Sequence, residues 1–256
     1  MLAAATIHRG EEPPISGHNG SATFFFSGCP LACSYCQNFP ISRLAVGTPT
    51  TVDRISRRML QLEKRGAHNV NCVTGTQYTP EIVDAVRRAR AQGMKIPVVW
   101  NTSGYETAQT IELLRGTVDI YLTDIKYADD RVAMEISGAT DYWRTATGAA
   151  MKMLDQVGPL ATDEHGISTR GVLIRHLVLP AGLGGTRRVM EFIRNELGRN
   201  VPVSLMCQYF PAHMASDHEL LSRGITSLEW EEAVECVRAA RLEVGWIQDP
   251  EFVGHS

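Results

Sequence analysis

The sequence predicts an α/β fold, an open partial barrel of six β/α repeats. Short runs of β-branched and aromatic residues alternate with amphipathic runs, a pattern typical of parallel βα units. Six such pairs are too few for a closed barrel, which takes eight. The chain has 256 residues, 44% of them hydrophobic, which is enough for one sizeable core. We therefore expect a single domain over residues 1–256.

The elements follow in order along the chain. Strands are predicted where β-branched or aromatic residues cluster, over 22–27, 69–74, 96–101, 118–124, 171–179 and 202–208. Helices are predicted where apolar residues recur at helical spacing, over 52–65, 80–92, 106–114, 129–136, 141–157, 186–197 and 228–244. Most of these helices stop at a glycine, namely Gly66, Gly93, Gly116, Gly158, Gly198 or Gly245. This divides the domain into a lead-in over 1–21, a barrel core over 22–210 and a C-terminal loop and helix over 211–256.

Composition argues against several classes of function. With 25 basic and 28 acidic residues the net charge is −3, and no basic block is longer than two residues, so we expect no nucleic-acid partner. No apolar run approaches the roughly 20 residues of a membrane span. The first ten residues lack the basic and apolar regions of a signal peptide. We expect a cytoplasmic protein without a membrane partner.

Three cysteines directly after the first predicted strand are the most informative feature. Cys29, Cys33 and Cys36 are spaced four and then three residues apart, which suits three of the four irons of an iron-sulfur cube. The fourth iron would stay open for a ligand. Half of a zinc site is the main alternative, although no second Cys/His pair accompanies these thiols. The other cysteines, Cys72, Cys207 and Cys236, lie in apolar segments and are expected to be small buried hydrophobes.

Polar residues at the ends of the next strands are candidates for ligand contact, because the carboxyl ends of parallel barrel strands carry the chemistry. Asp124 and Lys126 share one side of their strand about 6.6 Å apart, so both can reach one ligand. A solvated ion pair is the alternative for these two residues. The other candidates at strand ends are Thr74, Gly75, Thr76, Asn101, Thr102 and Ser103.

Arg175 and His176 must point to opposite faces of the fifth predicted strand. We expect Arg175 to face into the barrel toward an anionic group, the carboxylate of a bound ligand or of a substrate, because an unpaired buried arginine is costly. A structural arginine that pairs with a buried acid is the alternative. His176 is then a hydrogen-bonded structural histidine. The last strand brings Gln208, Tyr209 and His213 to the mouth, where ligand contact and rim packing stay open.

The cysteine spacing resembles the signature of the radical S-adenosylmethionine (SAM) enzymes. Over nearly its full length the chain is most similar to the PflX-like branch of the group of pyruvate formate-lyase-activating enzymes. The motifs that carry this resemblance are His8-Arg-Gly-Glu-Glu-Pro-Pro-Ile-Ser-Gly17, Phe25-Phe-Ser-Gly-Cys29, Cys36-Gln-Asn38, Gly66-Ala-His-Asn69, Asn101-Thr-Ser-Gly-Tyr105, Val118-Asp-Ile-Tyr-Leu122, Arg175-His-Leu-Val-Leu-Pro180 and Ser204-Leu-Met206.

The resemblance implies a partial barrel of the radical SAM type, a 4Fe-4S cluster and SAM as cofactors. Tyr35 would lie beside the adenine, while Asp124 and Lys126 would lie beside SAM and a monovalent cation. Thr74, Gly75 and Thr76 stand where the family has Gly-Gly-Glu-Pro, whose glutamate is absent here. Asn101, Thr102 and Ser103 lie in a segment that is similar to the strand ends with which the family binds SAM. Arg175 and Gln208, chosen above from the strand pattern, complete the predicted SAM ligands.

The implied chemistry is one-electron reductive cleavage of SAM to a 5′-deoxyadenosyl radical that abstracts a hydrogen atom. Flavodoxin or ferredoxin would supply the electron. The compact chain favours an activase that makes a glycyl radical on a partner enzyme. The alternative is a radical enzyme that acts directly on a small molecule or peptide by rearrangement, dehydrogenation or epimerisation. An electron carrier or sensor fits less well, because it needs four closed ligands.

Overall fold

The fold is an open, mostly parallel sheet with helices packed on one face, which confirms the predicted α/β class. It was obtained as a computed structural model that describes residues 1–243 and 245–249. The strands are β1 (Leu2–His8), β2 (Ser21–Phe26), β3 (Val70–Val73), β4 (Val98–Thr102), β5 (Ile120–Asp124), β6 (Ala161–Thr162), β7 (Ser168–Leu177), β8 (Val203–Met206) and β9 (Gly245–Ile247). The helices are α1 (Pro13–Ser16), α2 (Phe39–Ser42), α3 (Val52–Lys64), α4 (Thr79–Ala91), α5 (Ala108–Leu114), α6 (Asp130–Ser137), α7 (Tyr142–Val157), α8 (Thr186–Phe192) and α9 (Ser227–Ala240).

The strands run in the order β1-β2-β3-β4-β5-β7-β8-β9, and the short β6 pairs with β7. Only β1 and β6 are antiparallel to their neighbours, and every pair from β2 onward along the main order is parallel. All parallel strands therefore end at the same edge, where their carboxyl-terminal loops meet. In the described part of the chain no helix is long and apolar enough to cross a membrane.

Side-chain alternation along the strands separates two apolar layers. One face carries Phe24, Trp100 and Tyr121, which pack with the helices into the main core. The other face carries Leu122 and Leu173, which pack on Ile15 of α1 in a smaller cluster inside the open barrel. The segment that leads to α1 thus fills part of the barrel interior instead of lying outside it.

All six predicted strands and the predicted helices are present, with ends shifted by a few residues, but the prediction lacked the strands β1, β6 and β9 and the short helices α1 and α2. The lead-in over 1–21 contains β1, which pairs antiparallel with β2. The last helix ends at Ala240, and Gly245, predicted to stop that helix, begins β9 instead. Val244, the predicted helix end, lies outside the described residues. The single-domain assignment stays a prediction.

Candidate functional site

The cysteine loop follows β2 at the carboxyl edge of the sheet. Gly28 takes a φ of +92°, which favours glycine, and its N–H donates to the main-chain oxygen of Ile41 (3.0 Å). The chain therefore turns sharply between β2 and the first cysteine, and this hydrogen bond joins the turn to α2. Cys29, Cys33 and Cys36 all lie in this loop and share one cluster of packed side chains.

Each of the three sulfurs has a hydrogen-bonding neighbour. The Leu31 N–H donates to Cys29 Sγ (3.4 Å). The Ser137 hydroxyl donates to Cys33 Sγ (3.0 Å), and the Ser42 hydroxyl lies 3.1 Å from Cys36 Sγ. Hydrogen bonds to the sulfurs orient thiolate ligands and tune a cluster. This donor set fits three cluster ligands.

Within residues 1–243 and 245–249, no group of three or more His, Cys, Asp or Glu side chains is placed to hold a single metal ion. In an iron-sulfur cube each thiolate binds a different iron, whereas the ligands of a tetrahedral zinc all bind one ion. Cys72 and Cys207 are buried in the main core, and Cys236 packs against it, as predicted.

Lys126 and Asp124 form an ion pair beside the cysteine loop. Lys126 Nζ lies 2.5 Å from Asp124 Oδ2, and the side chains are only 17% and 19% exposed. Burial by itself would lower the pKa of Lys126, but Asp124 and Cys33 outweigh it and raise that pKa. The pair is therefore not the solvated surface pair that the sequence left open.

The same lysine counteracts the burial of the thiols. Burial raises the pKa of Cys29 to about 11, and the positive charge of Lys126 reduces that rise in part. Burial also raises the pKa of Cys33, again opposed by Lys126 and by the Ser137 hydroxyl. Lys126 thus couples the strand end of β5 electrostatically to the cysteines.

The loop after β3 has an unusual backbone. Thr74 has a φ of +55°, a conformation that is uncommon for a β-branched residue and marks local strain. A Cβ on Gly75 would lie 2.6 Å from Ile82 and 2.8 Å from Trp100, so packing against the core explains this glycine. The Thr76 hydroxyl donates to Glu106 Oε1 (2.7 Å), which directs this side chain toward Glu106.

Glu106 is a residue that the sequence reading did not single out. Its Oε1 accepts from Thr76, from Trp100 Nε1 (3.1 Å) and from the Thr102 hydroxyl (2.7 Å). Its Oε2 is buried without a hydrogen-bond partner, and burial raises the pKa of the carboxyl. The predicted ligand residues Thr76 and Thr102 therefore use their hydroxyls to join two strand ends.

The ends of β4 and β5 are held together closely. A Cβ on Gly104, which has a φ of +79°, would lie 2.1 Å from the main-chain oxygen of Asp124. The Tyr142 hydroxyl donates to the Ser103 oxygen (2.9 Å) and accepts from the Lys126 N–H (2.8 Å). Asn101 pairs with Leu122 across the two strands, at the same edge. The predicted residues of these strand ends are thus brought together.

Tyr35 is 5% exposed and packs edge-on against Tyr209 with ring centroids 5.6 Å apart. Its hydroxyl accepts from the Tyr127 hydroxyl (2.8 Å). This aromatic cluster supports the cysteine loop from behind. Its predicted position beside an adenine stays a prediction.

Arg175 points into the barrel as predicted, but its partners are protein carboxylates. Its Nε donates to Glu12 Oε1 (2.7 Å), and Nη2 donates to Glu12 Oε2 (2.6 Å) and to Glu11 Oε2 (2.5 Å). Although burial favours the neutral acid, Arg175 holds the pKa of Glu12 below its usual range. Glu11 also accepts from the Asn71 amide (2.8 Å). The structure thus favours the structural alternative over a role in SAM binding.

His176 is the structural histidine that the sequence predicts. It is fully buried, with Nδ1 2.7 Å from the Ile125 oxygen and Nε2 2.9 Å from the Thr186 hydroxyl. Burial lowers its pKa to about 4, so the ring is neutral at pH 7. Tyr209 is also structural, because its buried hydroxyl donates to the Leu221 oxygen (2.6 Å).

Glutamines tie the cysteine loop to its neighbours, which the sequence reading missed. Gln77 Nε2 donates to the oxygens of Ser27, Gly28 and Thr74, all at 2.9 to 3.1 Å. Gln37 Nε2 donates to the main-chain oxygen of Gln208 (3.0 Å). The loop is thereby joined to the strand ends of β3 and β8. The exposed His213 stacks on Phe39, 4.7 Å between centroids.

This arrangement is that of the radical SAM superfamily, and the chain belongs to that family. The Radical SAM superfamily profile matches residues 23–156, more than half of the chain. An uncharacterized protein of Methanocaldococcus jannaschii is 31% identical over 245 residues, which are 93% of this chain and 67% of that protein. A pyruvate formate-lyase-activating enzyme of Clostridium pasteurianum is 28% identical over 189 residues, 71% of this chain and 72% of the enzyme.

Solved structures agree on the fold. A radical SAM methyltransferase from Sphaerobacter thermophilus has a TM-score of 0.61 at 14% identity, and the match covers 88% of this chain and 65% of that one. SuiB from Streptococcus suis, crystallised with SAM, has a TM-score of 0.60 at 11% identity and is covered over 49% of its length. The chain thus spans less than two thirds of either protein.

Proposed function

We propose that this radical SAM enzyme is an activase, which makes a glycyl radical on a partner protein. The observation that carries the proposal is the cysteine loop beside the buried pair of Lys126 and Asp124. Cys29, Cys33 and Cys36 would hold a 4Fe-4S cluster. That cluster supplies, when bound, the electron that splits SAM into methionine and a 5′-deoxyadenosyl radical.

The remaining roles belong to the chain's own residues. Lys126 would donate to the SAM carboxylate, and Asp124 would accept from its hydroxyl groups or help to hold a monovalent cation. The backbones of Thr74 and Ser103 would line the same edge. Substrate and radical would stay inside the barrel mouth, out of contact with water.

The similarity to a pyruvate formate-lyase-activating enzyme supports the activase type over the direct alternative. A flavodoxin or ferredoxin as one-electron donor and a cytoplasmic location belong to the same proposal. A protein glycine as the target is its most specific part.

The proposal is tested by anaerobic reconstitution with iron and sulfide, followed by dithionite and SAM. Wild type and Cys72→Ala should form 5′-deoxyadenosine, while Cys33→Ala should form none. With a glycyl-radical enzyme present, deoxyadenosine should accumulate in step with a glycyl radical signal in electron paramagnetic resonance spectra. Formation of deoxyadenosine that depends on a free peptide or small molecule instead would favour the alternative, a radical enzyme that acts directly on such a substrate.

A further inference from the structure

A groove of about 530 Å³ runs along the free edge of the sheet, where β1 faces α3. We call it the arginine groove, because three arginines of α3 line one wall. Its lining residues are Leu2, Ala5, Thr48, Thr50, Arg54, Arg57, Arg58 and Gln61. No acidic residue is among them.

The three guanidinium groups are not neutralised. Arg57 Nε donates to the main-chain oxygen of Asp53, while Arg58 donates to the main-chain oxygen of Ala5 and to Gln61. In the part of the chain that the structure describes, none of Arg54, Arg57 and Arg58 forms an ion pair. The Asp53 carboxylate pairs with Arg88 of α4 instead. A protein of net charge −3 thus keeps a concentrated positive patch.

The groove adjoins the cysteine loop through its second wall. Thr48 and Leu2 exchange both main-chain hydrogen bonds (2.9 and 3.0 Å), which fixes this wall to the edge strand. The chain that reaches Thr48 comes directly from the cysteine loop. Along it, the Ser42 hydroxyl lies 3.1 Å from the sulfur of Cys36.

Two large apolar side chains lie in the chain segment between Cys36 and Thr48. Leu44 and Val46 are 66% and 54% exposed. Their segment is held in place, since the Ser27 hydroxyl donates to the Val46 oxygen (2.8 Å). Arginine is enriched at protein–protein interfaces, and exposed apolar side chains add surface that a partner can bury.

We propose that the arginine groove, with Leu44 and Val46, is the docking surface for an acidic protein that carries a one-electron redox centre. The inference rests on the proposed function, which consumes one external electron for each SAM cleaved. The donor loses that electron and the cluster gains it, and no bond or proton moves. An electron donor need not enter the barrel mouth, whereas a substrate must reach it. A surface outside the edge strand is therefore better suited to an electron donor than to a substrate.

The test uses reduced flavodoxin as the probe and compares two double variants. Arg54→Glu/Arg57→Glu reverses the charge of the groove and leaves Arg58, which holds β1. Arg187→Glu/Arg194→Glu is the matched control, since these arginines line a smaller cleft beside α9 that, unlike the arginine groove, also contains an acidic residue, Glu191. The measurement is the rate at which flavodoxin reduces the reconstituted cluster, followed by its visible absorbance, with dithionite in parallel.

The groove variant should be reduced by flavodoxin at least about tenfold more slowly than wild type at low salt, and the control within about twofold. Dithionite should reduce all three proteins equally. Raising salt from about 50 to about 300 mM should slow the wild type but not the groove variant, because salt screens an attraction in the first and a repulsion in the second.

Equal flavodoxin rates in the two double variants would overturn the proposal. So would saturable binding of inorganic pyrophosphate that the groove variant alone loses while its flavodoxin rate stays normal, because the groove would then serve a small anion. The readout is reduction of the cluster, so an absence of SAM cleavage would count against the proposed function and not against this surface.

Discussion

At the residue scale, the partly buried thiol of Cys29 has a strongly raised pKa. Because its pKa is about 11, the thiolate fraction at pH 8 is small, and metal ligation must displace a proton. Lys126 is the charge that opposes this shift. The free energy needed to deprotonate Cys29 for cluster binding therefore depends on Lys126, which the sequence analysis linked only to SAM and a cation.

We expect the alkylation of apo Cys29 by iodoacetamide to accelerate about tenfold for each pH unit from 8 to 10, since the rate follows the thiolate fraction. An ordinary thiol would level off near its pKa of about 8.5. Lys126→Ala should slow the reaction further, and Lys64→Ala on exposed α3 should not. Peptide mass spectrometry of timed samples measures it. A plateau below pH 9 would contradict the assigned burial.

Asp124 and Lys126 should govern SAM affinity separately from the cluster. Asp124→Asn and Lys126→Ala are each expected to weaken SAM binding by at least about tenfold, about 1.4 kcal/mol, because the pair is largely shielded from water. Iron content after reconstitution should stay as in wild type. Arg131→Ala breaks an exposed pair with Asp129 and serves as the control. Unchanged SAM affinity in both the Asp124 and the Lys126 variant would show that this ion pair is structural and does not bind SAM.

At the element scale, the segment between β1 and β2 is held inside the barrel by a salt bridge to β7. Glu11 and Glu12 are separated from Arg175 by 164 and 163 residues. Local periodicity shows that Arg175 and His176 face opposite ways, but it cannot show which distant acid reaches the arginine. The sequence therefore predicted the direction of Arg175 and could not identify its partner.

Arg175→Ala should destabilise the fold by about 3 to 5 kcal/mol, because two buried carboxylates lose their counter-charge. Arg175→Lys should be intermediate, since it keeps the charge and loses the bidentate fork. Adding Glu11→Gln and Glu12→Gln to Arg175→Ala should recover part of the loss. Chemical denaturation measures these differences.

SAM affinity in the folded Arg175→Ala protein separates the two roles of this residue. We expect it to be normal, because Arg175 binds protein carboxylates. A stable variant with lost SAM binding would restore the ligand role that the sequence assigned.

The elements that the sequence reading found and missed have a common physical explanation. The six core strands are short apolar runs between turn residues, and the helices carry a clear apolar face. By contrast, β1 is rich in alanine and is defined by its pairing with β2, while β9 is defined by its pairing with β8. Pairing between distant segments leaves little trace in local composition.

At the scale of the whole molecule, seven parallel strands bring the cysteine loop and the strand ends of β3, β4, β5 and β8 to one edge. The cysteine spacing predicts three cluster ligands, and this stays a prediction, while side-chain alternation was enough to place Asp124 beside Lys126. The glutamines that tie the loop, and Glu106 behind it, could not be predicted because their partners lie on other elements. The proposed function depends, at this scale, on one iron of the cluster that no cysteine would bind.

The most direct test of that claim is iron content together with the electron paramagnetic resonance spectrum of the dithionite-reduced protein, with and without SAM. We expect about four irons per chain and a spectrum that changes when SAM is added, because SAM would bind the iron that lacks a cysteine. Cys29→Ala, Cys33→Ala and Cys36→Ala should each lose the cluster, and Cys207→Ala should keep it. A zinc-loaded protein, a cluster that needs Cys72, Cys207 or Cys236, or a spectrum insensitive to SAM would contradict the assignment of an open iron.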